Sequence, residues 1–198
     1  RANKFKIEWK AEDLAKPNKL GLTQFENFPL TDLVEYIDWT PFFQTWELAG
    51  RYPRILTDEV VGDAATKLFA DAQEMLKQII SEKWISANGV VGIWPANAIG
   101  DDIQLYTDES RDEVLSTVHS LRQQSKKAAS VANLALADFV APKETGLQDY
   151  IGGFAVTAGL GIEKKIADFE ADHDDYNSIM LKALADRFAE AFAEKLHE

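Results

Sequence analysis

Cysteine is absent from the 198-residue chain. That excludes disulfides, thiolate zinc sites and cysteine nucleophiles, and it fits a reducing cytoplasm. Basic residues are scarce: 21 Lys and Arg face 33 Asp and Glu, for a net charge of -12. A nucleic-acid partner needs a basic face and is not expected, whereas a basic or cationic partner suits this surface. Long apolar runs are missing too. The longest candidates, such as "GGFAVTAGLGI", are short and glycine-rich, so no membrane segment is expected. The sequence has no glycine-rich phosphate loop, no HExxH, no GxSxG and no internal repeat. It shows no nucleophile–base pair and no metal triad, so no catalytic or metal-ligating residue is assigned.

Hydrophobic spacing carries the fold. Gly21 to Asp38 reads as an extended lead-in. Thr40-Pro41 then starts a short helix to about Leu48, with Thr40 as cap and Pro41 in the first helical position. A long helix follows over "TDEVVGDAATKLFADAQEMLKQIISEKWI", capped by Thr57 or Asp58 and running to Ile85, with Val61, Ala64/Ala65, Leu68, Ala72, Met75/Leu76, Ile79 and Ile80 on one stripe. The period then changes. Val90–Trp94 and Asp102–Tyr106 read as a hairpin joined through the turn residues of "PANAIGD". "EVLSTVHSLRQQ" fits helix or strand. Leu134–Val140 and Tyr150–Thr157 are further strand candidates. One or two helices close the chain, with Tyr176, Met180, Leu184, Phe188, Phe192 and Leu196 at four-residue spacing. Helices flanking adjacent β runs with short links give an α+β class built on antiparallel pairing.

Four groups of polar residues compete for function. Asp38 precedes a dense aromatic segment: Trp39, Phe42, Phe43, Trp46 and Tyr52. It is either a helix cap in front of core aromatics or a carboxylate beside a flat wall, suited to a ligand with a ring and a cationic or hydroxylated end. In "HDDYN", Asp174 or Asp175 either caps a helix whose first core residue is Tyr176, or forms an acidic edge facing a partner. Arg111 in "DESRDE" reads first as a solvated turn and second as an anion clamp. Asn97 either shapes backbone or touches a ligand. His119 stands alone, and Arg122–Gln124 has no diagnostic spacing.

Taken together, "YIDWTPFFQTWELAGRYPRIL", "DEVVGDAATKLFADA", "GVVGIWPANAIGDDIQLY", "LRQQ", "LADFVAPKETGLQDYIGGFAVTAGL" and "HDDYNSIMLKALADRFAEAFAEKLHE" resemble the activation domain of cobalamin-dependent methionine synthase, in the family's order and over nearly the whole chain. The resemblance implies a C-shaped single α+β domain over residues 1–198, with a bent antiparallel sheet flanked by helices. It implies binding of S-adenosylmethionine, with Asp38 as a ligand contact. It implies a cytoplasmic role in methionine biosynthesis, as part of a 5-methyltetrahydrofolate–homocysteine methyltransferase. The implied partners are a cobalamin-binding domain of the same polypeptide and flavodoxin or a related reductase, and Asp174 and Asp175 are candidates for contact with that domain. Oxidised cob(II)alamin would be returned to methylcobalamin. The family's arginine with a Gly-Tyr pair, and its Pro-Gly-Tyr segment, fall beyond Glu198. The sequence starts without Met and is still in helical stride at Glu198, so it reads as a C-terminally truncated piece of a longer protein, expected to be inactive in isolation. The competing class is a non-catalytic interaction domain that docks on a partner.

Overall fold

A computed structural model describes residues 3–128 and 130–197. The fold is α+β. Five strands, β1 (Gly21–Phe25), β2 (Ser86–Ile99), β3 (Asp102–Tyr106), β4 (Val114–His119) and β5 (Asp149–Leu160), form one open, bent antiparallel sheet. The order is β1-β2-β3-β4, with β5 also paired to β2. The helices are α1 (Trp39–Thr45), α2 (Gly62–Glu82), α3 (Ile162–Ala171) and α4 (Asp175–Lys195). Packing divides the chain into two compact units. One comprises residues up to Thr23 with Val91–Gly153, and the other Gln24–Val90 with Phe154 onward.

The helical unit buries the stripes that periodicity picks out. Ala65, Leu68, Ala72, Met75, Leu76 and Ile79 of α2 and Met180, Leu184, Phe188 and Phe192 of α4 share one core with Trp39, Phe42 and Phe43 of α1. Phe192 stacks near Phe28, with ring centroids 4.6 Å apart. A Cβ on Gly89 would lie 2.8 Å from the Phe192 ring, so the ring can approach β2 only where the strand has no side chain. Tyr176 is not the first core residue of its helix. It is 41% exposed, because its hydroxyl reaches out to Asp71.

Three helix boundaries differ from the expectation for a physical reason. Asp38, not Thr40, caps α1: its Oδ1 accepts the Thr40 N–H at 2.9 Å. Pro41 therefore sits third in the helix, where a missing N–H still breaks no intrahelical bond. Glu47, at φ 57°, ends the segment before Leu48. Asp58 holds the turn ahead of α2, accepting from the Val60 and Val61 N–H groups, and the helix begins only at Gly62.

The sheet unit has a smaller core of Ala96, Ala98, Ile103, Leu105, Ala137 and Val140. "PANAIGD" is not a loop. Ala96 to Ile99 pair with Leu105 to Asp102, and only Gly100 and Asp101 turn the chain. Pro95 precedes the first pair, so its missing N–H takes nothing from that ladder. "EVLSTVH" resolves as strand β4, in register with β3 from Asp102↔His119. Leu134–Val140 is not a strand. Leu136–Phe139 winds into a 3-10 turn, because Asp138 folds back to accept the Ala135 N–H at 3.0 Å.

Asp138 also anchors the unit electrostatically. Its side chain is fully buried and meets Arg122 in a two-point fork of 2.5 and 2.7 Å. Arg122 reaches Asp101 at 2.7 Å as well. The Arg122 bond holds the Asp138 carboxyl below its ordinary value, against the desolvation that would raise it. A depressed carboxyl contributes stability above its unfolded value of about 3.9 and loses it as pH falls through the folded value. Asp138→Asn leaves the largely buried Arg122 guanidinium with only the part-exposed Asp101 as counter-charge, and about 1–3 kcal/mol should be lost near neutral pH. Urea unfolding should show that gap at pH 7 and show it narrowing below about pH 4.

Candidate functional site

Asp38 sits where the lead-in becomes α1, in extended backbone at φ -77° and ψ 114°. The side chain is exposed, while Trp39, Phe42 and Phe43 behind it are buried. The aromatic segment is thus mainly core. Trp39 meets Phe42 and Phe69 edge-on at 5.4 and 4.9 Å. Trp46 is half-buried, and Tyr52 is the most accessible aromatic of the segment, 37% exposed, with its ring parallel to Phe43. Its backbone N–H donates to Thr40 Oγ1 at 3.3 Å, so the loop after α1 is tied back to the first turn, two residues from the acid. Both alternatives for Asp38 are compatible here: one carboxylate oxygen caps the helix, and the side chain still meets solvent.

The "HDDYN" stretch is a helix start. Asp174 caps α4 through Oδ1, which accepts the Asn177 N–H at 3.0 Å, and Oδ2 accepts from the Asn177 side-chain amide at 2.6 Å. The backbone bond first, then the side-chain bond, lowers the Asp174 carboxyl from its ordinary value. Asp175 follows, exposed, in the first turn. Next to it the Tyr176 hydroxyl donates to Asp71 Oδ2 at 2.8 Å, and the ring lies 5.0 Å from Trp46 at the end of α1. Asp71, Glu74, Gln78, Phe169 and Tyr176 line a cleft of about 330 Å³. The aromatic helix and the acidic edge therefore meet through one ring pair.

Two residues with weak sequence signals prove structural. Arg111 is no solvated turn. Its Nη1 donates to Ala96 O at 3.0 Å and Asn97 Oδ1 at 2.8 Å, and its Nη2 to Asp149 O at 2.8 Å. The guanidinium lies over the rings of Tyr106 and Tyr150. Asn97, 3% exposed, donates to the carbonyls of Ala141 and Leu147, both at 3.0 Å. It shapes backbone. Arg122 is likewise committed to Asp138. A lone arginine inside an acidic run was the available signal for Arg111, and its left-handed φ of 59° is invisible in sequence. His119 is exposed and lies 3.1 Å from Asp102.

The family model for the vitamin B12 dependent methionine synthase activation domain matches residues 29–198. The chain belongs to this activation domain family. A crystal structure of the MetH reactivation domain bound to AdoHcy superimposes with a TM-score of 0.91 at 55% sequence identity, over 98% of this chain and 59% of that chain. The chain thus spans about three-fifths of the length of that relative. Among the described residues no helix is long and apolar enough to cross a membrane, and no cluster of His, Asp and Glu could hold a metal ion.

Burial, and then the Asp71 carboxylate, push the Tyr176 phenol up to about 12. The folded state therefore holds that proton more tightly than the unfolded chain, whose value is about 10. Its contribution to stability is complete below pH 10 and falls as pH rises toward 12. Tyr176→Phe should remove that alkaline loss, seen as a smaller decline in melting temperature between pH 10 and 12. Absorbance titration at the tyrosinate band should show one late-titrating phenol fewer.

Proposed function

We propose that this chain binds S-adenosylmethionine through Asp38 and supports reductive reactivation of cobalamin within a larger methionine synthase. The observation that carries the reading is an exposed carboxylate at the head of a short helix whose Trp39, Phe42 and Phe43 are buried in aromatic core, in a chain 55% identical to a domain crystallised with AdoHcy. An exposed acid fixed in position by a cap is suited to accept hydrogen bonds from ligand amino or hydroxyl groups, and its charge favours a nearby cation. Cobalamin would be held by a neighbouring domain of the full-length protein. S-adenosylmethionine would supply the methyl group, and flavodoxin or a related reductase the electron, that restore methylcobalamin.

What this chain's own residues contribute is placement. The α1 cap fixes the direction of Asp38 before ligand arrives, so little side-chain freedom is lost on binding. The Thr40–Tyr52 tether holds the partly exposed Tyr52 ring near the same turn. In full-length protein, Asp38→Asn keeps an oxygen acceptor for the cap and loses the charge. S-adenosylmethionine affinity should fall about ten- to hundredfold, the worth of a hydrogen bond to a charged group, with the melting temperature nearly unchanged. Unchanged affinity by calorimetry would remove Asp38 from the site. Asp38→Ala should in addition cost about 0.5–2 kcal/mol through loss of the cap.

Asp174 and Asp175 are proposed to face the cobalamin-binding domain during reactivation. The exposed Asp175 beside the acidic cleft of Asp71 and Glu74 supports a polar, reversible contact. Such charge pairs set encounter rate and specificity, and salt weakens them. Replacing both acids by Asn in full-length enzyme should slow reactivation more than ordinary turnover, with the difference shrinking at high salt. Since Asp174 caps α4, the melting temperature should be recorded with both rates. Reactivation and turnover falling together, alongside a lower melting temperature, would mean that only the cap was lost.

A further inference from the structure

The sheet unit contains a second concave site that the S-adenosylmethionine reading does not use. A cleft of about 520 Å³ opens beside the end of β4, with Lys4, Arg122, Gln124, Ser125, Lys126 and Lys127 among its walls. Its lining is unlike the rest of this acidic chain. Among the described residues that line it, Lys4, Arg122, Lys126 and Lys127 contribute four cations and Asp101 the one carboxylate.

The cations differ in what neutralises them. Arg122 is matched by Asp138 and Asp101. Lys4 donates to Gly100 O at 3.1 Å and lies 3.7 Å from Asp138. Lys127 is held by neutral oxygens, Gln123 Oε1 and Ala132 O, the latter at 3.0 Å. Its position is fixed while its charge is not cancelled. Lys126 is exposed and makes no ion pair among the described residues. Two adjacent ammonium groups therefore stand uncompensated at a concave, polar surface, with the Gln124 amide and the Ser125 hydroxyl beside them as further donors. The floor beneath is fixed by the Arg122–Asp138 fork and by Asn133, whose Nδ2 donates to Gln123 O at 2.5 Å and Ser125 O at 3.2 Å.

The structure assigns this cleft to a small phosphate-bearing anion. Ammonium groups lining one cleft with hydroxyl and amide donors match a phosphate's several acceptor oxygens. The volume is that of a small-molecule site. An extended acidic polymer would need a broad basic face, which a net charge of -12 does not provide.

The test measures the melting midpoint of the full chain in sodium pyrophosphate and in sodium chloride at matched ionic strength. Glucose 6-phosphate serves as the esterified arm, because it has no adenosyl group to enter the Asp38 site. The midpoint should rise with concentration in pyrophosphate or the sugar phosphate and stay level in chloride, and the stronger response names a free or an esterified phosphate as the source. Lys126→Gln should weaken the response about two- to fivefold, as for an exposed charge pair, and Lys126→Gln with Lys127→Gln should abolish it. The chloride midpoint of Lys126→Gln should match wild type, which separates site loss from misfolding. Asp38→Asn should leave the phosphate response intact, so the two sites fail or stand separately. Equal midpoints in all salts, or a response surviving in the double variant, would overturn the assignment. So would a glutamate oligomer binding more tightly than pyrophosphate.

Discussion

A seven-residue helix cannot hold itself together, since nucleation costs more than so few backbone bonds return. The existence of α1 therefore depends on what lies at its head and behind it. Asp38 satisfies the Thr40 N–H, and Trp39, Phe42 and Phe43 are buried against α2 and α4. Everything proposed for the ligand site follows from this constraint. The acid is exposed because it is the first polar group outside the core, and it is oriented because the core fixes the helix it caps.

The structure shows Asp38 as a cap, and a cap does not exclude the proposed ligand contact. A carboxylate has two oxygens and room for several hydrogen bonds. Engaging Oδ1 with a backbone N–H consumes a fraction of that capacity and restricts the side chain to fewer rotamers. Asp174 shows the contrasting case. Both its oxygens are taken by Asn177, so it is the more fully structural of the two caps. Its neighbour Asp175 is exposed and has neither oxygen in that cap.

The legible parts of the fold are those where burial follows a local period. The α2 residues Ala65, Leu68, Ala72, Met75, Leu76 and Ile79 and the α4 residues Met180, Leu184, Phe188 and Phe192 are core as spacing requires, whereas Ala64 of the expected stripe is exposed. Tyr176 breaks the same four-residue series, because a phenol at the first turn can reach a carboxylate on another helix, and periodicity carries no information about Asp71. "PANAIGD" misleads in the opposite direction. Pro, Asn and Gly are turn formers locally, yet Asn97 is drawn into the strand by acceptors more than 40 residues away at Ala141 and Leu147. "LALADFV" alternates like a strand and is wound up by the Asp138 carboxylate instead. In each miss a polar contact outweighed the local pattern, across the fold for Tyr176 and Asn97 and within a single turn for Asp138.

The same contacts decide which cations remain available for chemistry. Arg111 directs its fork at Ala96, Asn97 and Asp149 and stacks on two tyrosines. Arg122 directs its fork at Asp138 and Asp101, which raise its pKa well above the ordinary guanidinium value. A guanidinium so engaged has no second face to offer a ligand carboxylate, because its planar donors point along fixed directions. Arg111, for which the sequence offered an anion clamp as its second reading, and Arg122, which carried no diagnostic spacing, are thus clamps on this protein's own oxygens. Neither guanidinium is therefore a candidate for a ligand carboxylate, and any such contact has to be sought among cations outside this network.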